Sequence, residues 1–307
     1  MSAHTLVIVN PASGSGTAGR RIPELERLLA AHVVDFSLVR TQGPGHAEQL
    51  AREGALAGAR RIAIAGGDGT VSEALSGLLP LALAQPPELG LLPLGSGRDF
   101  ARGLGLGNDL AASVQRLARG RLRTVDAGRV VCCGPDGTER IRHFLNITSF
   151  GVSGESTLWV QQRGRRGRRG RASYLQSGVV GLLRYRSPQV AIAIDGRPAH
   201  RGRLMLAAVA NGRYFGGGMH VAPHAQIDDG LFDVVIVDGM TKLQALACFS
   251  QLLRGRHLRR PDVRVLRGRQ VEIEADAPIW LEADGEPLGT PPARLSLLPR
   301  ALTLCGL

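Results

Sequence analysis

The chain of 307 residues is long enough for roughly two domains of about 150 residues each. Apolar residues make up 44% and charged residues 21%, which allows ordinary hydrophobic cores, and the net charge is +12. Lys242 is the only lysine and lies in no glycine-rich phosphate loop, which excludes a P-loop NTPase and a lysine-dependent protein kinase.

The cysteines and the apolar segments indicate the cellular compartment. Cys132 and Cys133 are adjacent while Cys248 and Cys305 are isolated, so zinc and thioredoxin-type sites are not supported. The first residues lead directly into a strand without a basic stretch, so no signal peptide is expected. Prolines interrupt the longest apolar stretch, 77–95, so it cannot form a clean transmembrane helix. We expect a soluble, cytoplasmic protein able to work at an anionic membrane surface.

The first part of the chain alternates short apolar strands with helical patterns. The predicted elements are strands at 5–9, 33–39, 61–65 and 89–94 and helices at 20–31, 46–57 and 70–79. This alternation predicts parallel βαβ units, and therefore an α/β domain with a Rossmann-like parallel sheet. Each glycine-rich loop falls at the carboxyl end of a strand, where open α/β sheets bind ligands.

After Asp126 the pattern becomes β-rich. Short strands separated by Gly, Pro and Asp are predicted at 130–133, 141–149, 190–195, 204–210, 231–237, 263–266, 270–275 and 279–282. Helical segments are predicted at 158–162, 174–183 and 242–252. The second part is therefore expected to be a β-sandwich, and the domain boundary is expected near 120–128. The last strand of the chain can pair with the first domain.

One segment is strongly basic. Gln161–Ala172 contains six arginines and no acidic residue. It is either a solvated loop or a contact with anionic lipid through Arg163–Arg171, worth about 1 kcal/mol per arginine at the surface. Nucleic acid is not expected as a partner, because no aromatic residues are interleaved with these charges.

The sharpest local signal is GGDGT at Gly66–Thr70, which follows an apolar strand and precedes a helix. Its glycines let the backbone approach a phosphate, and the N-terminus of the helix favours an anion. Asp68 would repel a bare phosphate, but a magnesium ion bridging Asp68 to the phosphates removes that conflict. The alternative interpretation is a Gly/Asp turn capped by Thr70.

Two further loops resemble this one in position. NPASGSG at Asn10–Gly16 follows the first strand, and PLGSGRDFAR at Pro93–Arg102 follows the fourth. In the latter, Ser96 can donate to a phosphate and Asp99 can hold a metal ion or its water, while Asp126 adds a carboxylate further on. Each aspartate alone is more typical of a helix cap or turn. Three such loops at one sheet edge favour a binding site.

The motifs NPASGSG, GGDGT, PLGSGRDFAR and a late EADGEP follow one another along essentially the whole chain. Together they resemble the diacylglycerol kinase catalytic family, which includes bacterial lipid kinases and the sphingosine and ceramide kinases. The resemblance implies a nucleotide-binding α/β domain of the NAD kinase/diacylglycerol kinase-like type at 1–127 and a lipid-substrate β-sandwich domain at 128–307. It also implies ATP and Mg²⁺ as cofactors.

The resemblance further assigns roles to residues. Nucleotide-binding positions are implied at Asn10, Ser13, Gly14, Gly16, Thr41, Gly66, Gly67, Asp68, Gly69, Thr70, Val71, Ser72, Ser96, Asp99 and Asp126. The three aspartates among them match the family's acidic, magnesium-associated network. Asp284 and Glu286, in ADGEP, match the position of the general base. QIDDGLFD matches a structural magnesium loop, with Asp229 binding by its carboxylate and Gln226 and Leu231 by backbone carbonyls.

Elementary chemistry agrees with a carboxylate base, because an alcohol that attacks a phosphoryl group must lose a proton. Asp284 follows an apolar strand, although an Asp-Gly pair is also typical of a hairpin turn. Oxygen-only ligands at QIDDGLFD suit magnesium or calcium rather than zinc. Arg98 departs from the family pattern, which has asparagine there, and it can pair with a phosphate or signal an altered nucleotide or acceptor.

We therefore expect an ATP- and Mg²⁺-dependent lipid kinase, peripherally associated with the membrane, that phosphorylates a hydroxyl of a diacylglycerol-like or sphingoid-like lipid. One alternative is an NAD kinase-like enzyme with a soluble substrate. Another is a non-catalytic nucleotide- or lipid-binding protein in which Arg98 has abolished turnover. Homodimer formation is left as a possibility, because edge strands of a β-sandwich can pair two subunits.

Overall fold

The computed structural model describes residues 4–33, 35–81, 83–95, 97–164 and 181–307, with only the backbone at 160–164. The chain divides into two compact units, which we call unit 1 (Met1–Val125 and Arg300–Leu307) and unit 2 (Asp126–Pro299). Most of the helix predicted at 174–183, and all but the first two residues of the arginine-rich segment 163–171, lie outside the described residues. No helix in the described part of the chain is long and apolar enough to cross a membrane.

Unit 1 is built on a parallel sheet. Its strands are β1 (Thr5–Val9), β2 (Phe36–Arg40), β3 (Arg61–Gly66) and β4 (Glu88–Pro93). Its helices are α1 (Thr17–Arg20), α2 (Ile22–His32), α3 (His46–Leu56), α4 (Asp68–Leu78), α5 (Asp99–Gly103) and α6 (Leu110–Arg119). β1 pairs with β2 and β3, and β3 with β4, all in parallel. The predicted α/β fold is confirmed.

The apolar character of these strands explains the architecture of unit 1. β1, β3 and β4 are buried almost throughout, as expected for a parallel sheet covered on both faces. One apolar core joins Val7, Leu25, Leu29, Leu92 and Val114. This packing fixes the carboxyl ends of the strands, where the glycine-rich loops begin.

Unit 2 contains mainly antiparallel strands. They are β6 (Glu139–Phe144), β7 (Ile147–Gly151), β8 (Gln189–Ile194), β9 (Arg197–Ala210), β10 (Phe232–Asp238), β11 (Val263–Gly268), β12 (Gln270–Ala275) and β13 (Leu281–Ala283). Two strands extend across the boundary in the sequence, β5 (Leu122–Cys133) and β14 (Glu286–Cys305). The helices are α7 (Val152–Gly164) and α8 (Lys242–Leu252).

Long strands that change partners make unit 2 a sandwich, as predicted. The first half of β9 pairs with β8, and its second half pairs with β10 and β7. β14 pairs first with β13 and then with β12, and its last residues pair in parallel with β4 in unit 1. Inward-facing apolar side chains of these strands form one core. The sequence pattern gives no bounds for β14, because four prolines and a glycine interrupt its alternation.

Candidate active site

Three glycine-rich loops meet at the carboxyl ends of β1, β3 and β4 in unit 1. A Cβ atom added at Gly95 would lie 2.3 Å from the Cα of Gly67, and one added at Gly14 would lie 3.1 Å from the carbonyl oxygen of Leu94. Only glycine permits so close an approach of one backbone to another. The structure therefore brings together the loops that the sequence placed at this sheet edge.

Side chains also join the first loop to the second. Asn10 Nδ2 donates to Thr70 Oγ1 at 3.0 Å, and Asn10 Oδ1 accepts from the Ala12 N–H at 3.0 Å. Ser13 Oγ lies 3.5 Å from the same Thr70 oxygen. Helix α4 begins at Asp68 rather than at Thr70, so the interpretation of Thr70 as a helix cap is wrong. Its hydroxyl instead connects the two loops.

The second and third loops are joined through two aspartates. Asp68 Oδ2 accepts from the Asp99 N–H at 2.9 Å, and the Asp68 N–H donates to the Gly97 carbonyl at 3.3 Å. Asp99 is 4% exposed and pairs with Arg102 at 2.7 Å. Burial and the neighbouring Arg102 lower the pKa of Arg98, which Asp68 partly opposes. The carboxylates of Asp68 and Asp99 thus lie close to the guanidinium groups of the third loop.

The remaining residues predicted to bind nucleotide occupy different environments. Gly16 takes a left-handed conformation before α1 (φ 82°), and Thr41 is buried just after β2 with its N–H bonded to Val9. Gly69 and Val71 lie in the first turn of α4, but Ser72 is 1% exposed and its hydroxyl has no partner among the described residues. Ser96 lies outside the described residues.

This edge of unit 1 has features that suit a nucleotide phosphate. The N-cap of α4 is a glycine without a side-chain acceptor, which leaves the helix N-terminus suited to an anion. No group of three His, Cys, Asp or Glu side chains able to hold a metal occurs among the described residues. Mg²⁺ is commonly held by one or two carboxylates together with phosphate oxygens, and Asp68 and Asp99 offer those carboxylates.

Asp284 lies in the hairpin turn between β13 and β14. It has φ 49° and the following Gly285 has φ 86°, as expected for a tight Asp-Gly turn. Asp284 Oδ1 accepts from the Asn146 and Ile147 N–H groups, and Oδ2 accepts from the Leu145 N–H, at 2.9–3.1 Å. Burial raises the pKa of Asp284, while these N–H donors lower it. With one donor on Oδ2, that oxygen keeps a lone pair for a proton.

The chain contains a second turn of the same kind, which serves as an internal comparison. Asp195 also has φ 49° and precedes Gly196, between β8 and β9. There a single oxygen, Oδ1, accepts both the Arg269 and the Gln270 N–H groups. An aspartate in this turn is therefore a structural device in unit 2, and what distinguishes Asp284 is the use of both oxygens.

Glu282 was not singled out in the sequence, yet it is buried next to this turn. It is 3% exposed, accepts a hydrogen bond from the Ser149 hydroxyl through Oε1, and accepts from the Gly285 N–H at 2.7 Å through Oε2. Burial, aided by the negative charges of Asp284 and Glu286, raises the pKa of Glu282 to about 7. An acidic residue inside the apolar run PIWLEA was the signal that could have revealed it. Glu286 itself lies exposed at the start of β14.

Asp126 belongs to unit 2 and links two of its segments. Its carboxylate accepts from the Gly230 N–H at 2.8 Å, and its own N–H donates to the Ile227 carbonyl at 2.7 Å. The buried Asn211 donates through Nδ2 to the carbonyls of both Asp126 and Leu145, at 3.0 and 2.7 Å. The structure thus connects Asp126 both to the loop predicted to bind magnesium and to the segment that holds Asp284.

In the predicted structural magnesium loop, the one carboxylate ligand is hydrogen-bonded by the protein itself. Asp229 Oδ1 accepts from the Leu231 N–H at 3.1 Å, and Asp229 Oδ2 accepts from the guanidinium of Arg267. Gln226 is exposed, and the Gly230 carbonyl, which is not one of the predicted ligands, accepts from Arg269 Nε at 3.2 Å. Asp229 is the one predicted ligand that would bind through its side chain, and both of its carboxylate oxygens have donors from the protein itself.

Comparisons with known proteins agree with this division of the chain. Residues 4–130 match the diacylglycerol kinase catalytic domain, and residues 146–306 match the YegS C-terminal NAD kinase beta sandwich-like domain. The chain is 34% identical to a Chromohalobacter salexigens protein named "Probable lipid kinase YegS-like", over 85% of this chain and 81% of that protein. It is 29% identical to the Bacillus subtilis protein named diacylglycerol kinase, over 91% of this chain and 88% of that one.

Solved structures show the same fold. The crystal structure of a diacylglycerol kinase from Bacillus anthracis has a TM-score of 0.75 at 25% identity and covers 99% of this chain and 97% of its own. Yeast NADH kinase, in complex with NADH, has a TM-score of 0.52 at 12% identity, over 100% of this chain and 84% of its own. At 12% identity, the similarity to yeast NADH kinase concerns the fold alone.

Proposed function

This chain belongs to the diacylglycerol kinase family, and on that premise we propose that it phosphorylates a lipid hydroxyl at the expense of ATP. The acceptor is a diacylglycerol-like or sphingoid-like lipid taken from a membrane surface. The single observation that carries the proposal is Asp284, a carboxylate held by three backbone N–H groups with a lone pair remaining on Oδ2. Such a group can accept the proton that the lipid hydroxyl loses.

The residues of unit 1 bind and orient the nucleotide in this proposal. The glycines of the three loops let the backbone approach the phosphates, and Asp68 and Asp99 would hold Mg²⁺. When bound, Mg²⁺ neutralises charge that develops on the phosphoryl oxygens. Asp284 is fixed before substrate arrives, because its carboxylate cannot rotate without breaking the hydrogen bonds to the 145–147 segment.

The proposal is tested by γ-phosphate transfer from labelled ATP, with Mg²⁺, to mixed micelles of diacylglycerol, sphingosine, ceramide or phosphatidylglycerol, with NAD tested alongside. The enzyme variants are Asp284→Asn and its matched control Asp195→Asn. An asparagine at position 195 keeps the single accepting oxygen, so that control should retain activity. At position 284 the substitution replaces one of the two accepting oxygens by an NH₂ group. That group can accept neither a proton nor a hydrogen bond from the 145–147 backbone.

We expect one lipid to be labelled, with a loss of about 100-fold or more in Asp284→Asn, the usual range for a general base. Thermal unfolding of both variants checks that the loss is not caused by unfolding. Labelling of NAD instead of any lipid would contradict the proposal in favour of a soluble substrate. Equal losses of activity in the two variants would contradict the assignment of Asp284 as the general base.

A further inference from the structure

Arg267 lies over the loop whose sequence suggested a structural magnesium site. It belongs to β11 and lies directly opposite Asp233 of β10 in the strand register. Its Nε donates to Asp233 Oδ1 at 3.0 Å, and its Nη2 donates to Asp229 Oδ2. One guanidinium therefore bridges two carboxylates of the QIDDGLFD segment, those of Asp229 and Asp233.

The guanidinium of Arg267 compensates the charge of a buried carboxylate. Asp233 is 3% exposed, and a buried carboxylate without a partner is costly. A planar guanidinium suits this task, because its donors are fixed in a fork that can serve two acceptors. Arg269, from the adjoining turn, donates to the Gly230 carbonyl, so a second arginine covers the same loop.

We propose that Arg267 is the resident cation of this loop, in place of a divalent metal ion, and that unit 2 folds without any metal. The consequence concerns the cofactor requirement of the protein. A dependence on Mg²⁺ then arises from the nucleotide and its loops in unit 1, and removal of divalent ions leaves the stability of unit 2 unchanged.

Unfolding of unit 2 can be followed selectively, because both tryptophans of the chain, Trp159 and Trp280, lie in it. We would record thermal unfolding by tryptophan fluorescence without nucleotide, in EDTA and in millimolar Mg²⁺. The variants are Arg267→Met, Asp229→Asn and the double variant, with Arg294→Met as the matched control. Arg294 is 84% exposed and 3.9 Å from Glu272, so its removal should have little effect.

The wild-type midpoint should be the same in EDTA and in Mg²⁺, and Arg267→Met should lower it by about 3 °C or more. Asp229→Asn should lower it less when added to Arg267→Met than when made alone, because the two residues interact. A fall of the wild-type midpoint in EDTA that Asp229→Asn abolishes would show a metal in the loop and overturn the proposal. Arg267→Met as stable as Arg294→Met would overturn it as well.

Discussion

Replacing Glu282 by glutamine should make unit 2 less sensitive to pH. The folded protein raises the pKa of this carboxyl from 4.5 to about 7 through burial and through the neighbouring charges of Asp284 and Glu286. Glutamine resembles the protonated acid, because its amide oxygen can accept from Gly285 while its NH₂ group donates to the Ser149 oxygen. The variant therefore keeps the hydrogen bonds to Gly285 and Ser149 but has no carboxyl group that can titrate.

The sign follows from proton binding in the two states. Between pH 4.5 and 7 the folded protein holds a proton on Glu282 that the unfolded chain has released. The free energy of unfolding of the wild type therefore falls as pH rises through this window. With about 1.4 kcal/mol per pKa unit, the loss contributed by Glu282 is about 3 kcal/mol.

The assay is urea unfolding followed by tryptophan fluorescence, between pH 5 and pH 8. The advantage of Glu282→Gln over the wild type should grow by about 2.5 kcal/mol across that range, because part of the effect falls below pH 5. Glu274→Gln, which changes an exposed glutamate of β12, should follow the wild type at each pH. Parallel pH profiles for the wild type and Glu282→Gln would refute the reasoning, since they would mean that Glu282 stays ionised in the folded protein.

Three other changes test the remaining geometry. Gly95→Ala should weaken ATP binding at least 10-fold in calorimetry, because the new Cβ would lie 2.3 Å from the backbone of the second loop, whereas Gly43→Ala, with nothing within 4 Å, should bind normally. Asp109→Ala removes the acceptor of two N–H groups at the start of α6 and should lower the free energy of unfolding by about 1 kcal/mol, measured by urea unfolding followed by far-UV circular dichroism. Arg98→Asn removes a cation that interacts with Asp68 of the second loop, so half-maximal activity should require less Mg²⁺. An unchanged Mg²⁺ requirement would show that Arg98 does not influence the metal.

The sequence alone determined the fold class and the position of the loops. Alternation of apolar strands with helical patterns is a local property, and so is a run of glycines after a strand. Parallel strands necessarily gather such loops at one edge, which is why Asn10, Asp68 and Asp99 could be grouped before any contact was known. The turn at Asp284 was equally visible, because an Asp-Gly pair is a local turn signal.

Only the tertiary structure decided what surrounds these residues. Ser149 and Glu282 are 133 positions apart in the chain, and Arg267 is 38 positions from Asp229. Strand register places Ser149 opposite Glu282 and Arg267 opposite Asp233, and no local pattern specifies it. From that position the Arg267 side chain also reaches Asp229, where the motif alone suggested a metal ion. Burial and charge at a side chain depend on neighbours that are distant in sequence, and these determine whether a carboxylate binds a proton, a metal ion or a guanidinium.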